Sequence, residues 1–295
     1  METPPDDAAL PGPLLDELLG VAMDVARACG RLITDERPRD LVADHFKTSS
    51  TDVVTIMDPR SEALARAELA RRRPEDGVVG EEGTDVPGTS GIWWLVDPID
   101  GTANYLYDMG FYAVSVAAVV GDPHTARAWY PVAGAVFNPV ADELYLARRG
   151  GGSFVETGGV RTPLAVGTRT ELARCLTGTG FGYAPPSRAK QGRVVAQVLP
   201  RVRDIRRMGV AALDLCHVAR GRLDCYYEAG VNAWDIAAGW VILEEAGGVL
   251  RGTGGQRPSR LLTFAGQGPA LDELEELVVG LLREIDPDAP EPDLS

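Results

Sequence analysis

The sequence predicts a layered fold of mixed class, α+β in its N-terminal half and α/β in its C-terminal half. Apolar residues first recur at helical spacing, and between Trp93 and Val155 short apolar segments alternate with Gly, Pro and Asn turns, as in an antiparallel sheet. After Leu164, strand-like and helical segments alternate. With 295 residues, 45% of them hydrophobic, the chain can bury a sizeable core, which excludes a disordered or fibrous class.

Three helices are predicted in the N-terminal half. Helical spacing predicts the first from Leu14 to Ile33, and the second begins at Ser61, a candidate N-cap, and ends by Pro74. A short third helix is expected just after Thr102. The expected strands are VVG at 78–80, WWLVD at 93–97, YAVSVAAVV at 112–120, ARAWYPV at 126–132, GAVFNP at 134–139 and ELYLARRGGGSFV at 143–155.

The C-terminal half is expected to alternate between strands and helices. Its predicted strands lie at 174–180, 204–207 and 223–230, and its predicted helices at 208–221, 234–248 and 271–285. The change of pattern predicts a boundary between residues 157 and 168. The expected parts are an N-terminal half at 13–164, a C-terminal half at 165–285, and flexible tails at 1–12 and 286–295.

Charge and composition limit the class of partner. A net charge of −14 without a basic stripe argues against nucleic acid, and a phosphate-bearing substrate would need bound metal cations to neutralise it. No apolar run approaches membrane-spanning length, and no signal-peptide pattern precedes the first helix. The four scattered cysteines lack metal-type spacing and suit a reducing compartment. We therefore expect a soluble, cytoplasmic protein without nucleic-acid or membrane partners.

Several catalytic classes lack their residues. The three histidines lie in unrelated contexts and no Gly-x-Ser-x-Gly elbow is present, so a Ser-His-acid hydrolase is unsupported. Cys175 is followed by LTGTGF, which lacks the arginine of a cysteine phosphatase loop. An aspartyl nucleophile would need Asp two positions before the Asp of DGT, where this chain has Pro98. Acidic side chains therefore remain as the candidates.

Asp97 and Asp100 form the first candidate site, in WWLVDPIDGTAN. With the carbonyl of Ile99 they offer three hard oxygen ligands within four residues, which favours magnesium over zinc. A simpler interpretation is that Asp100 is a helix N-cap and Asp97 is solvated.

Two further acidic positions stand at predicted element ends. Glu81 lies in GEEG after a strand, where a surface turn is the simpler interpretation. Asp235 follows Trp234, where it could be a helix N-cap. Their combination with the first pair favours one site, because active-site ligands are often mounted at the ends of elements.

Together these motifs resemble the inositol monophosphatase family, within the superfamily of Mg²⁺-dependent, lithium-sensitive sugar-phosphate phosphatases. The resemblance rests on GEE at 80–82, DPIDGTANY at 97–105 and WDIAAG at 234–239, supported by FKTSSTDVVTIMD at 46–58, RRMGVAALDLC at 206–216 and YYEAG at 226–230. The motifs occur in the family's order over roughly residues 40 to 250. The fold that the resemblance implies is the layered α-β-α-β-α sugar-phosphatase fold.

The resemblance also implies roles for individual residues. Metal ligands would be Glu81, Asp97, the Ile99 carbonyl, Asp100 and Asp235, binding two or three Mg²⁺ ions. Glu81 and Thr102 would orient the attacking water, supported by Asp58, and the backbone N–H groups of Gly101 and Thr102 would bind phosphate. Substrate contacts would come from Asp100, Ala211, Glu228 and Asp235, and Lys47 matches a family lysine near the metal site.

Two positions depart from the family pattern. Val210 stands where relatives commonly carry a small hydroxyl residue, which would weaken polar recognition if its side chain faces the substrate. Gly110 replaces a proline familiar from relatives, which bears on loop rigidity rather than on the chemistry.

The function that the resemblance implies is Mg²⁺-dependent hydrolysis of a phosphate monoester by a metal-activated water. The leading substrate is myo-inositol monophosphate, and the expected assembly is a lithium-sensitive homodimer. Histidinol phosphate, fructose 1,6-bisphosphate and 3′-phosphoadenosine 5′-phosphate are the alternative substrates. A regulatory binding protein with the same fold is the non-enzymatic alternative.

Overall fold

The computed structural model describes residues 10–125 and 127–287. The helices are α1 Gly12–Asp35, α2 Met57–Arg72, α3 Thr102–Leu106, α4 Pro185–Val198, α5 Ala211–Ala219, α6 Ala233–Glu245 and α7 Gly268–Ile285. The strands are β1 His45–Phe46, β2 Val53–Val54, β3 Gly77–Gly80, β4 Ile92–Asp100, β5 Ala113–Gly121, β6 Trp129–Asn138, β7 Glu143–Arg148, β8 Ser153–Thr157, β9 Val160–Pro163, β10 Leu176–Thr179, β11 Asp204–Arg206, β12 Cys225–Glu228, β13 Val249–Arg251 and β14 Thr263–Gly266.

Two sheets and three helical layers alternate through the molecule. The larger sheet has the strand order β3-β4-β5-β6-β7-β8-β9, antiparallel except for the parallel β3–β4 pair. Helices α1 and α2 cover one face of this sheet, and α5 and α6 cover the other. The smaller sheet, β11-β10-β12-β14-β13, packs on α5, and its far face carries α4 and α7. This order is the predicted α-β-α-β-α arrangement.

The central strands β5 and β6 of the larger sheet are almost entirely apolar because both of their faces are buried. Strand β6 shows how closely the layers approach. A Cβ atom added at Gly134 would lie 2.7 Å from the Cα of Ala238 in α6, so glycine is required there. Helix α1 instead buries one apolar stripe against the sheet, as its predicted periodicity requires.

Some predicted elements differ from the structure. The second helix begins at Met57, and Ser61 is not its N-cap, because Ser61 is buried within the helix and donates a hydrogen bond to the carbonyl of Pro98 at 3.1 Å. The prediction of two strands on either side of Ala133 is also wrong, since β6 runs through that residue. The predicted division at residue 164 stays a prediction. The predicted tails fall largely on residues 1–9 and 288–295, outside the described residues.

Helix α4 and strands β1, β2, β9, β13 and β14 were not predicted. Helix α4 begins with Pro185-Pro186, which resembles a loop signal, although proline is tolerated in the first turn of a helix. Among residues 10–125 and 127–287, no helix has both the length and the apolar character needed to span a membrane. The four cysteines are buried free thiols.

Candidate active site

Strand β4 carries Asp97 and Asp100 at one end of the larger sheet, and a β-bulge turns them toward the same space. Side chains three residues apart on a regular strand point to opposite faces. The pairing of β4 with β5 shifts register here, with Asp97 opposite Ser115 and Asp100 opposite Ala113. Pro98 lies inside this irregular step, where its missing N–H is tolerated. The extra residue therefore brings both carboxylates to one site.

Asp100 joins the two halves of the chain. Its Oδ2 accepts a hydrogen bond at 2.7 Å from the backbone N–H of Ala212, in the first turn of α5. The positive end of the α5 dipole favours negative charge on this carboxylate. Asp100 is not the N-cap of α3, because that position is held by Gly101 with a φ of 89°.

Gly101 and Val210 are in close contact. A Cβ atom at Gly101 would lie 2.7 Å from Cγ2 of Val210, whose side chain is buried. The Val210 side chain therefore packs against Gly101 in the core. At this position, where relatives commonly carry a small hydroxyl residue, valine adds an apolar contact. Gly110 has a φ of 64°, a left-handed conformation that proline cannot adopt, so this loop follows a path that a proline at the same position would forbid.

Glu81 and Glu82 follow the end of β3 and both pair with Lys47. The Lys47 ammonium donates hydrogen bonds to Oε1 of Glu81 at 2.7 Å and to Oε1 of Glu82 at 2.6 Å. Burial raises the pKa of Glu81 above its ordinary value, and the charge of Lys47 opposes this increase. The lysine therefore holds Glu81 in place and supplies the positive charge nearest to it.

Glu62, inside α2, fixes the turn that carries Glu81. Its Oε2 accepts the backbone N–H of Glu82 at 2.7 Å, and its Oε1 accepts the Nε–H of Arg66 at 2.8 Å. A Cβ atom at Gly80 would lie 2.5 Å from the Glu62 carboxyl carbon. The glycine of GEE is therefore required because the buried Glu62 carboxylate packs against it.

Glu62→Gln is expected to lower the free energy of unfolding by about 3 kcal/mol, because it leaves the partly buried Arg66 guanidinium without its counter-charge. Urea unfolding followed by circular dichroism measures this loss. The matched control is Glu68→Gln on the same helix, which removes an exposed pair with Arg71 and is expected to change stability little. Equal midpoints for Glu62→Gln and the wild type would contradict the positioning role.

Asp58 and Thr102 form a hydrogen-bonded unit beside the acid pair. The backbone N–H and the hydroxyl of Thr55 both donate hydrogen bonds to Oδ2 of Asp58, at 2.8 and 2.6 Å respectively. The Thr102 hydroxyl lies 2.9 Å from Oδ1 of Asp58 and 3.0 Å from the carbonyl oxygen of Ile99. Its hydrogen is therefore donated to one of these acceptors, and its oxygen remains able to accept a hydrogen bond.

Asp235 reaches the same region from α6. It is the third helical residue and forms a capping box with Asn232, whose N–H donates to Oδ2 of Asp235 at 2.7 Å. The simple N-cap interpretation of Asp235 is wrong, because Asn232 holds that position. One carboxylate oxygen of Asp235 therefore takes part in the capping box, and the side chain still lies near the other acids.

Glu228, at the end of β12, lies on the C-terminal side of the site. Its Oε2 accepts a hydrogen bond from the hydroxyl of Tyr226 at 2.7 Å. A Cβ atom at Gly180 would overlap the Glu228 carboxylate, so the absence of a side chain at Gly180 provides the space that Glu228 occupies. Ala211 begins α5 next to the N–H that binds Asp100.

The acids from these distant segments interact electrostatically. Burial, followed by the negative charges of Glu81, Asp100 and Asp235, raises the pKa of Asp97 well above its ordinary value. Burial and the charge of Asp235 do the same for Asp100. Burial and the charge of Glu81 raise the pKa of Asp235 to about 7. Four carboxylates therefore lie close together without enough positive charge nearby to balance their negative charge.

This donor set fits a hard divalent cation. All its oxygens are carboxylate or carbonyl, which are the ligands that Mg²⁺ takes, and a cation would relieve the mutual repulsion that raises the pKa values. As the side chains stand, no group of three or more His, Cys, Asp or Glu in residues 10–125 and 127–287 has metal-binding spacing. The chemistry of the donors, rather than their spacing, therefore supports a metal site here.

Asp214 was not identified from the sequence and lies in α5, where the charges of Asp100 and Glu228 act on it. It is fully buried in α5, and neither carboxylate oxygen has a hydrogen-bond partner within the described residues. Burial, with the charges of Glu228 and Asp100, raises its pKa well above the ordinary value. A single acid within the apolar run AALDLC was the signal that could have identified it.

Several known proteins are similar to this chain in sequence and in fold. The model of the inositol monophosphatase family matches residues 14–286. Inositol-1-monophosphatase SuhB from Mycobacterium tuberculosis is 45% identical over 234 residues, which cover 77% of this chain and 78% of the relative. Nus factor SuhB from Xylella fastidiosa is 34% identical over 281 residues, covering 91% and 98%.

A solved structure confirms the fold class. The structure of Mycobacterium tuberculosis SuhB matches with a TM-score of 0.76 and 38% identity, covering 90% of this chain and 97% of that one. The chain therefore belongs to the inositol monophosphatase family, a family of metal-dependent phosphatases.

Proposed function

We propose that this protein hydrolyses a phosphate monoester with Mg²⁺, and that myo-inositol monophosphate is its preferred substrate. The observation that carries the proposal is the convergence of Glu81, Asp97, Asp100 and Asp235 from three separate segments of the chain. The family and the relatives named inositol-1-monophosphatase support the choice of substrate.

Asp97, Asp100, Asp235, Glu81 and the Ile99 carbonyl would hold the ions. When bound, two or three Mg²⁺ ions would lower the pKa of a water and neutralise the phosphate charge. Thr102 would accept a hydrogen bond from the attacking water, because its own hydrogen is donated to Asp58 or to the Ile99 carbonyl. Glu81 would take a proton from this water, since burial raises its pKa above the ordinary value and makes it a stronger base.

The phosphate would lie against the backbone at Gly101 and Thr102. The positive φ of Gly101 turns the chain into α3, whose first N–H groups have no partner within the helix. This cradle supplies donors without a cationic side chain, which suits a chain of net charge −14. Ala211, Glu228 and the outer sides of Asp100 and Asp235 would surround the alcohol part of the substrate.

Glu228→Gln is expected to raise KM for myo-inositol monophosphate about 10-fold with a smaller change in kcat, because a carboxylate accepts hydroxyl hydrogen bonds more strongly than an amide. Steady-state kinetics measure both constants. The control is Glu171→Gln, an exposed glutamate paired with Arg174. An unchanged KM in Glu228→Gln would remove this residue from the substrate site.

A substrate panel tests the proposed function. Purified protein is assayed for phosphate release, with Mg²⁺ and with a chelator, on myo-inositol monophosphate, histidinol phosphate, fructose 1,6-bisphosphate and 3′-phosphoadenosine 5′-phosphate. The expected result is Mg²⁺-dependent release with the highest kcat/KM on the inositol ester. A preference for histidinol phosphate would overturn the substrate and leave the mechanism in place.

A regulatory binding role is the second candidate. It is favoured by the relatives named Nus factor SuhB, one of which covers 91% of this chain. The presence of Glu81, Asp97, Asp100, Thr102 and Asp235 argues for catalysis, since a protein that had lost its activity would be expected to lack ligands. Absence of phosphate release on all four substrates would favour the regulatory role.

Membership of the family also supports proposals about the protein's oligomeric state, its inhibition and its location. We propose a homodimer without nucleic-acid or membrane partners, inhibition by Li⁺, and a cytoplasmic location consistent with four buried free thiols. Sedimentation velocity measures the assembly, and a dose series of LiCl in the phosphate-release assay measures the inhibition.

A further inference from the structure

The turn between Glu228 and Asp235 connects the proposed substrate end of the site to a proposed cation ligand. Glu228 ends β12, and Asp235 lies in the first turn of α6, so the path of the chain between them sets the separation of the two carboxylates. Residues 229–232 belong to no helix or strand, and Gly230 has a φ of 89°. Contacts from another part of the chain must therefore hold this turn.

Arg260 holds the turn at two points. It lies in the segment between β13 and β14. Its backbone carbonyl accepts the N–H of Gly230 at 2.7 Å, and its guanidinium donates a hydrogen bond to the side-chain oxygen of Asn232. Both contacts fall between Glu228 and Asp235. One residue therefore fixes the turn through its backbone and through its side chain.

Asn232 connects the second of these contacts to the cation site. It forms the capping box of α6, in which its side chain faces the backbone N–H of Asp235 and its own N–H donates to Oδ2 of Asp235 at 2.7 Å. An amide oxygen has two lone pairs, so it can accept from the helix and from the arginine together. The charged guanidinium makes a stronger hydrogen bond than a neutral donor would, and holds the asparagine in its capping rotamer.

The segment that carries Arg260 is anchored to the strand beside Glu228. The hydroxyl of Thr263, at the start of β14, donates a hydrogen bond to the carbonyl of Ser259 at 3.1 Å. Thr263 lies opposite Glu228 in the ladder between β12 and β14. Because this backbone is already held, the exposed arginine has only its side chain to order when it binds Asn232.

We propose that Arg260 is a positioning residue for the cation site, which acts through Asn232 to fix the orientation of the Asp235 carboxylate. The inference rests on the proposed function, and it assigns no contact between the guanidinium and the substrate or the ion. Without the arginine the turn would have to become ordered when a cation binds, and that loss of conformational entropy weakens binding.

Arg260→Met tests the role, because it removes the guanidinium and keeps an unbranched stem and the carbonyl that binds Gly230. The Kd for Mn²⁺, measured by calorimetry without substrate, is expected to rise about 10-fold, as for loss of a hydrogen bond to a charged group. The apparent activation constant for Mg²⁺ is expected to rise by a similar factor, while kcat at saturating Mg²⁺ stays near the wild-type value. The matched control is Arg174→Met, an exposed arginine paired with Glu171.

A double-mutant cycle with Asn232→Ala separates positioning from a general loss of stability. Both single variants are expected to bind Mn²⁺ more weakly than the wild type, and Arg260→Met is expected to cause no further rise in Kd when Asn232 is already alanine. Additive effects would overturn the route through Asn232. A wild-type Kd in Arg260→Met, with Tm lowered in thermal unfolding, would assign the arginine to stability alone and overturn the positioning role.

The same measurements distinguish this inference from the proposed function. A wild type that binds Mn²⁺ but releases no phosphate would overturn the proposed hydrolysis, and the cycle would still decide the role of Arg260. A wild type that binds no Mn²⁺ would overturn both, because no cation site would then be positioned.

Discussion

Asp100→Asn is expected to lower kcat on myo-inositol monophosphate about 1000-fold or more while the protein stays folded. The substitution keeps the shape of the side chain and an oxygen that accepts the Ala212 N–H, but removes the negative charge that faces Asp97 and Asp235. Loss of that charge weakens the cation site and the electrostatic stabilisation that depends on it. Steady-state phosphate release gives kcat, and circular dichroism confirms the fold.

Asp108→Asn is the matched control for this change. Asp108 lies eight residues further along the same segment, its side chain is 77% exposed, and its nearest charged partner is Arg37 at 3.7 Å. Its φ of 56° is one that asparagine also adopts. We expect wild-type rates from this variant. Near-normal rates from Asp100→Asn would refute the assignment of this carboxylate to the cation site.

The metal-free protein is expected to lose stability as the pH rises from about 4 to about 7, and Mg²⁺ to restore it. Burial and the charge of Glu81 raise the pKa of Asp235 from an ordinary value of 3.8 to about 7 in the folded chain, and the pKa values of Asp97 and Asp100 are also raised well above 3.8. In this interval the folded state holds protons that the unfolded state has released, so folding becomes less favourable as the pH increases. A bound cation removes the repulsion between these carboxylates.

Thermal unfolding across this pH range measures the effect. Without metal, Tm is expected to be higher at pH 5 than at pH 8, and addition of Mg²⁺ is expected to raise Tm more at pH 8 than at pH 5. Asp100→Asn is expected to flatten the metal-free pH dependence because one of the repelling charges is absent. A metal-free Tm that rises from pH 5 to pH 8 would contradict the electrostatic description of the cluster.

The local motifs predicted the acidic centre of the candidate site because its residues lie close together in sequence. Asp97, Ile99 and Asp100 lie within four residues, so their shared location follows from one turn of the backbone. The sequence did not predict the bulge that makes both carboxylates face one side, since Pro98 signals only that a regular strand is interrupted. The five-layer order was predicted by family resemblance, and its individual strand lengths were not.

Residues that act through long-range contacts were missed for a physical reason. Glu62 supports Glu82 from 20 positions away, and its sequence neighbours show only an ordinary helical pattern. Helix α4 was hidden by its two leading prolines, which are equally common in loops. Three-dimensional contact, rather than composition, identifies these residues.

Anomalous diffraction from a crystal grown with Mn²⁺ tests the central claim most directly. Mn²⁺ shares the oxygen preference of Mg²⁺ and scatters anomalously, so its position is observed independently of activity. We expect peaks in direct contact with the carboxylates of Asp97, Asp100 and Asp235, and none at these positions in Asp100→Asn. Peaks confined to other surfaces, with these three carboxylates free of metal in the wild type, would contradict the account.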